Sequence, residues 1–313
     1  MKDNQPINPT SQHALLRWGG LVVLLLMPFA LAEASPEQGG SRLPVVDGLM
    51  LDLDANVGVE LEDGSRVKSW KNQVKGTVVD LFVKRDEGRD EAGSGRPTLK
   101  TQVEAIEGNS TLVFAEQELI NMDEDAFDHL VTGRGYTWFS VMSVDKQHVG
   151  KKDVNSFFGN LRNGPPYDGF WGNLMDDNRV WMGTRNGIMP KGKKQVALWD
   201  EELNPCVATS EPIEENRYYL IMGRMGAGVG TVDLELFVNS STPVDRKPVP
   251  VNPKANPSKM AIGQERDAIN HPGKESFHGE IARFLVFERP LSDAELSSMI
   301  GHLIKVYEIE TGD

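Results

Sequence analysis

Short apolar runs separated by polar turn residues dominate the chain from Val45 onward. Runs rich in β-branched and aromatic side chains, bounded by Gly, Asn, Asp and Pro, are typical of β-strands. The pattern predicts strands at 48–54, 77–83, 110–114, 136–144, 156–160, 179–184, 217–223, 232–239, 259–263 and 278–287. No sequence period recurs, which excludes a repeat protein. The pattern therefore predicts an antiparallel β-sandwich.

One helix is predicted, directly after the last strand. Pro290 cannot extend a strand ladder, and Ser292 and Glu295 have the spacing of a capping box. Leu291 and Leu296 have the spacing of a hydrophobic staple. The apolar residues that follow recur at helical period, which predicts a face that docks on a sheet: Leu296, Met299, Ile300, Leu303 and Tyr307.

The region before that strand combines a predicted hairpin with a proline-rich insertion. The strands at 217–223 and 232–239 flank a glycine-rich turn at 226–230, as a hairpin requires. Residues 243–257 contain five prolines, which fix φ and remove backbone donors. This insertion is therefore predicted to be extended and to stay out of any central strand position.

Two motifs carry a resemblance to a known family. One is the strand at 278–287 followed by Pro290 and the Leu-Ser-x-x-Glu start of the helix. The other is the opening strand 48–55 followed by the Gly-x-x-Val-x-x-Trp sequence at 64–70. Together they resemble the laminin-G-like jelly rolls of the concanavalin A-like lectin/glucanase superfamily, as found in secreted bacterial proteins. The resemblance covers residues 45–310. It implies an all-β, two-sheet antiparallel jelly-roll sandwich with one C-terminal helix.

The N-terminal segment has the pattern of a signal peptide. Lys2 and Arg17 precede an apolar run at 21–32 that ends in small residues suited to cleavage. A membrane span needs about 20 apolar residues, so an uncleaved anchor is the less favoured alternative. We expect a signal peptide at 1–32, a linker at 33–44 and a single domain at 45–310. The protein is then exported to the periplasm, the cell surface or the medium, with no membrane span after cleavage.

Composition narrows the classes of partner. The 46 acidic and 33 basic side chains give a formal net charge of −13, which disfavours nucleic acid and anionic membranes as partners. Cys206 is the only cysteine, so no intrachain disulfide can form. Stability therefore has to come from a core, and Cys206 is expected to be a small buried side chain.

A catalytic function has weak support in the sequence. Glucanases of this superfamily carry their carboxylates on one strand in a Glu-x-Asp-x-x-Glu pattern, and this chain lacks it. The nearest approach is Asp233 with Glu235, which share one face of a predicted strand. A solvated polar face opposite the core is the favoured explanation of this pair. A glycoside hydrolase or lyase remains the alternative, with Asp233 and Glu235 as its suspected residues.

Carbohydrate binding is better supported. Sugar rings dock on aromatic side chains, while a few polar groups fix their orientation. Tyr167, Trp171, Asn173 and Trp181 supply both types within a glycine-containing region, and Glu235 would join them if its hairpin lined the same groove. The competing interpretation places Trp171 and Trp181 in the sandwich core, as expected for Trp70 and Trp138.

Calcium is a further candidate that the resemblance implies. Many jelly rolls of the superfamily hold a structural Ca²⁺ through carboxylates of the first and last strands, and Asp52, Asp54 and Glu280 occupy roughly those places. Relatives often carry an acidic pair where this chain has Ala282 and Arg283. Structural calcium is therefore a hypothesis that rests on Asp52, Asp54 and Glu280.

The leading functional hypothesis is an exported, non-catalytic recognition module for a polysaccharide or other glycan. The first alternative is a polysaccharide-active enzyme on the same fold. The second is a structural or protein-binding component of the cell envelope that uses the loops at 145–155 and 243–257.

Overall fold

The computed structural model describes residues 42–87, 94–147, 154–164, 167–188, 203–265 and 274–311. All of them belong to one compact unit, Gly39–Asp313. The predicted signal peptide and all of the linker except 42–44 lie outside the described residues. Of the helices in these ranges, none is long and apolar enough to cross a membrane.

The described residues form seventeen strands and one α-helix, with a 3₁₀ turn at Glu104–Ile106 and a π-helical turn at Leu130–Arg134. In chain order they are β1 (Leu49–Asp54), β2 (Val59–Leu61), β3 (Val67–Lys71), β4 (Leu81–Lys84), β5 (Thr98–Val103), β6 (Asn109–Ala115), β7 (Leu119–Ile120), β8 (Tyr136–Val144), β9 (Asn155–Gly159), β10 (Gly169–Leu174), β11 (Val180–Arg185), β12 (Cys206–Ala208), β13 (Tyr218–Met225), β14 (Thr231–Val238), β15 (Asp245–Pro250), β16 (Ala261–Ile262), β17 (His278–Phe287) and α1 (Asp293–Tyr307).

The strands form two antiparallel sheets, which confirms the predicted sandwich. The first sheet has eight strands in the order β15-β14-β13-β8-β17-β6-β5, with β1 also paired to β17. The second has nine strands in the order β12-β11-β10-β9-β16-β7-β4-β3-β2. Strand β17 connects most of the first sheet, because β8 pairs along one edge while β6 and β1 share the other edge.

Two hydrophobic clusters hold these layers together. The larger one fills the space between the sheets and includes Trp70, Trp138 and Phe284, all fully buried. The other lies between α1 and the face of the first sheet that points away from the second sheet. All five residues of the apolar stripe on α1 are buried there, as their spacing predicts.

The predicted helix start is confirmed in detail. The Ser292 hydroxyl accepts from the backbone N–H of Glu295 at 3.3 Å, and the Glu295 carboxylate accepts from the backbone N–H of Ser292 at 2.9 Å. The hydrogen bond from Arg289 lowers the pKa of Glu295 to about 2, so this carboxylate is ionised at all ordinary pH values. The capping box therefore also joins α1 to the end of β17 through Arg289.

Several strands were missed by the sequence pattern. The sequence predicts a ligand-binding region at 167–173 and no strand there, yet 169–174 form β10, which is buried along its whole length. The proline-rich insertion contributes β15, whose Pro248 and Pro250 lie on the edge of the first sheet, where missing donors are tolerated. The insertion is thus extended and excluded from the sheet centre, as expected, but it is paired rather than a free loop.

Candidate functional site

Three of the five predicted ligand residues lie together on the second sheet, and Tyr167 lies just before its strand β10. Side chains alternate along β10 and β11, so Phe170 and Met182 point into the main core while Trp171 and Trp181 point away from the first sheet. We call the residues on and beside this outward face the outer patch. Its members are Tyr167, Trp171, Asn173, Trp181 and Arg185.

The two tryptophans are buried, but not in the main core. Their rings meet edge to face at 5.9 Å and form a separate cluster with Leu161. Trp171 is fully buried and Trp181 is 5% exposed. A Cβ added at Gly183 would lie 2.4 Å from the Trp171 ring, so the indole lies directly over the backbone of β11. The structure therefore matches neither interpretation in full. The two indole rings lie outside the main core, but they are buried and do not form an open binding surface.

Asn173 is buried as well and fixes the Trp171 ring. With its amide oriented to satisfy both neighbours, the Asn173 oxygen accepts from the Trp171 indole N–H at 3.0 Å and its nitrogen faces the Ser156 hydroxyl. Ser156 lies opposite Asn173 in the pairing of β9 with β10. The side-chain amide of Asn173 thus makes its polar contacts within the protein. This residue holds the Trp171 ring in place and is not positioned to bind a ligand.

Tyr167 is the partly exposed member of the outer patch. The Arg185 guanidinium lies over its ring, 5.1 Å from the centroid, and the Arg185 side chain is itself buried. Tyr167 has a φ of +58°, a left-handed conformation that is uncommon for a bulky residue and persists where the surroundings impose it. Arg185 was missed from the sequence, although its i+4 spacing from Trp181 along a strand places both on one face.

Cys206 lies at the border of the same patch. Its side chain is partly buried and packs against the cluster of Trp171 and Trp181. A small buried side chain is expected from the sequence, whereas Cys206, at the start of β12, is only partly buried.

Glu235 is separate from the other four candidates. It lies on β14 in the first sheet, is 4% exposed, and holds two guanidinium groups. Arg224 donates to its Oε2 at 2.6 Å and Arg246 to its Oε1. Arg224 also donates to the backbone oxygen of Leu291 at 2.8 Å, so Glu235 helps to fasten the start of α1 to the sheet.

Asp233 shares an open cleft of 420 Å³ with Glu235. Asp233 is exposed, whereas both carboxylate oxygens of Glu235 are engaged by arginine. A general acid or base needs an oxygen that can exchange a proton with the substrate. Glu235 therefore has a structural role, because it binds two arginines. The suspected pair does not provide the two available carboxylates that glycoside hydrolysis requires.

The carboxylates proposed for calcium instead surround an arginine. Arg283 donates to Asp52 Oδ1 at 2.9 Å and to Asp52 Oδ2 at 2.8 Å, and its Nη1 lies 3.6 Å from Asp54 Oδ2. Burial raises the pKa of Asp54, and the Arg283 charge opposes this rise. Burial is the largest single influence on the pKa of Arg283 and lowers it, but the hydrogen bonds to Asp52 and the negative charges of Asp52 and Asp54 together raise it.

Glu280 does not join Asp52 and Asp54. Its Oε1 accepts from Lys100 at 2.7 Å, and its Oε2 accepts from the Tyr218 hydroxyl. Across the described ranges, no three His, Cys, Asp or Glu side chains gather into a group that could hold a metal ion. The three residues do not fit a shared calcium site, because a guanidinium occupies the space between Asp52 and Asp54 while Glu280 binds other partners.

A group of carboxylates lies close to the outer patch. Burial raises the pKa of Asp128 to about 7, and the nearby charges of Asp125 and Asp168 add to the rise. Asp168 follows Tyr167 in the chain, is 3% exposed, and accepts from the backbone N–H of Asn256 through Oδ2. The charge of Asp128, and with it the electrostatic field at Asp168 beside Tyr167, therefore changes with pH near neutrality.

Replacing Asp128 by asparagine is expected to stabilise the protein at pH 8 by about 1 kcal/mol, or about 2 °C in Tm. The unfolded carboxyl titrates near 3.8 and the folded one near 7, so the wild type loses stability as pH rises between those values. Asparagine cannot ionise and removes this loss. Thermal unfolding from pH 5 to pH 8 measures it. A gain of equal size at pH 5 and pH 8 would contradict the assignment.

Comparison with known proteins gives no family. No protein-family model and no curated protein matches the chain. Among solved structures, the botulinum neurotoxin serotype C1 binding domain is similar at a TM-score of 0.46 and 10% identity, over 82% of this chain and 52% of that chain. Trypanosoma rangeli sialidase in complex with sialic acid is similar at a TM-score of 0.48 and 13% identity, over 87% of this chain and 35% of that chain.

The chain thus spans about half of the toxin chain and about a third of the sialidase chain that it matches. At these TM-scores and identities the likenesses carry no argument about ligand or activity. The β-sandwich is established by the strand pairing itself.

Proposed function

We propose that this protein is an exported, non-catalytic carbohydrate-recognition protein that binds a sugar ring against Tyr167. The observation that carries the proposal is the Tyr167–Arg185 pair, in which a partly exposed aromatic ring rests on a buried guanidinium at 5.1 Å. Aromatic faces beside fixed polar groups are the usual contact surface for sugars. The finer assignment to laminin-G-like jelly rolls and the export of the protein belong to the same proposal.

The buried members of the outer patch support this role indirectly. Trp171 and Trp181 pack edge to face, and Asn173 accepts from the Trp171 indole N–H, so these buried side chains form a fixed layer on the same sheet face as Arg185. A binding residue held by a rigid underlying layer loses less conformational freedom when a ligand arrives. The left-handed φ of Tyr167 is consistent with such imposed positioning.

A glycan array probed with the purified protein tests the proposal. Tyr167→Ala is expected to weaken binding of any retained glycan by about tenfold, because it removes the ring. Tyr167→Phe keeps the ring and is expected to retain most of the affinity. Val229→Ala, at an exposed position on the β13–β14 turn, serves as a control. A folded wild type that binds no glycan, or a Tyr167→Ala variant of unchanged affinity, would contradict the proposal.

A further inference from the structure

A second cleft lies between the segment after β12 and the base of the β13–β14 hairpin. It has a volume of 390 Å³, and we call it the end cleft. Its walls include the apolar side chains of Ile213, Tyr219 and Val238. Polar residues complete the lining, among them Ser210, Asn239 and Ser240. The volume lies within the range of sites for small molecules, about 300–1,000 Å³.

The composition of the end cleft suits a hydroxylated ligand with an apolar face. Tyr219 is 8% exposed, and its hydroxyl accepts from the backbone N–H of Glu214 at 3.1 Å, which fixes the ring. Arg217 lies over the same ring, 5.4 Å from its centroid. The polar residues of the lining supply donors and acceptors for hydroxyl groups.

Charge decides which hydroxylated ligand fits. Arg217 pairs loosely with Glu214 at 3.6 Å and with Glu310 at 3.4 Å, and these carboxylates are 72% and 81% exposed. Glu211 also lines the end cleft. Three carboxylates thus accompany one guanidinium. Exposed ion pairs of this kind contribute little to stability, so the carboxylates can turn toward an incoming cation at little cost.

A carboxylate group on the ligand would bind unfavourably in the end cleft. It would have to displace Glu214 or Glu310 from Arg217 and remain near the displaced charge. The net charge of −13 adds a long-range field that attracts cations and repels anions. We therefore infer that the end cleft binds an amine-bearing sugar, with its ring against the apolar wall and its ammonium group among Glu211, Glu214 and Glu310. This site is independent of the one proposed at Tyr167.

Calorimetric titration of the full chain with two matched tetrasaccharides tests the inference. The probes are β-1,4-linked glucosamine and its fully N-acetylated counterpart, which differ in the charge of the amine. At pH about 5.5 the free amines are protonated. The glucosamine tetramer is expected to bind about tenfold more tightly, and high salt is expected to reduce the difference.

Two variants localise the binding. Glu211→Gln combined with Glu310→Gln is expected to remove most of the preference for the amine. Asp80→Asn combined with Glu87→Gln removes the same formal charge beside β4, far from β12 in the second sheet, and should preserve the preference. Ser210→Tyr is expected to block both probes by filling the end cleft. Equal binding of the two probes, no binding of either, or equal effects of the two double variants would overturn the inference. Tyr167→Ala leaves this binding unchanged, which separates the two sites.

Discussion

Replacing Arg283 by methionine is expected to lower the free energy of unfolding by about 3–5 kcal/mol. Methionine keeps much of the length and loses the charge, so Asp52 and Asp54 remain buried without their cation. Both carboxylates are at least 90% removed from solvent, and the guanidinium is 4% exposed. Equilibrium unfolding in urea at pH 7, extrapolated to water, measures the loss.

The pH dependence of this variant provides a specific check. Without Arg283, its charge no longer opposes the burial that raises the pKa of Asp54, so the variant should regain stability as pH falls and this carboxyl becomes protonated. A triple variant that adds Asp52→Asn and Asp54→Asn should recover part of the loss at pH 7. A loss below about 1 kcal/mol that does not change with pH would show that the pair contributes little.

This ion pair also shows what the sequence could not provide. Asp52, Asp54 and Arg283 all stand out in the sequence, and Arg283 departs from the acidic pair of the family that the chain resembles. Their contact joins residues 231 positions apart, and it depends on the register of β1 against β17. Strand patterns predict which residues share a face, but register across a sheet is set by all of its neighbours.

Regular elements were predicted well where a single local signal dominated. The pattern predicts both ends of β8 and of β17 correctly, because both are long apolar strands flanked by clear turn residues. Helix α1 followed from its capping box and apolar stripe. Strand β10 was missed because Gly169, Gly172 and Asn173 resemble loop residues, while its burial on both faces depends on distant parts of the chain.

The candidate site was predicted in part for the same reason. Trp171, Asn173 and Trp181 are grouped in the sequence by their residue types, and the pairing of β10 with β11 places them on one sheet face. The exposure of that face depends on what covers it, and no local pattern encodes that. Glu235 is expected to join them only if its hairpin lines the same groove, and this condition is not met because β14 belongs to the other sheet. Only Tyr167 combines the predicted residue type with partial exposure.

Trp171→Ala is expected to destabilise the protein by about 3–5 kcal/mol, as for other buried aromatic side chains. The ring is fully buried, packs against Trp181, and donates the hydrogen bond that Asn173 accepts. Its removal leaves a cavity and an unpaired buried amide oxygen. Urea unfolding measures the loss, with Tyr167→Ala as the matched aromatic control, expected to cost roughly 1 kcal/mol because that ring is partly exposed.

This difference decides how glycan-binding data are to be interpreted. If Trp171 supports the outer patch without touching ligand, Trp171→Ala loses sugar binding only at temperatures and denaturant concentrations at which it also loses its fold. Tyr167→Ala loses binding while remaining folded. A Trp171→Ala protein that keeps wild-type stability but no longer binds sugar would place that indole in contact with the ligand, and the outer patch would then be a binding surface throughout.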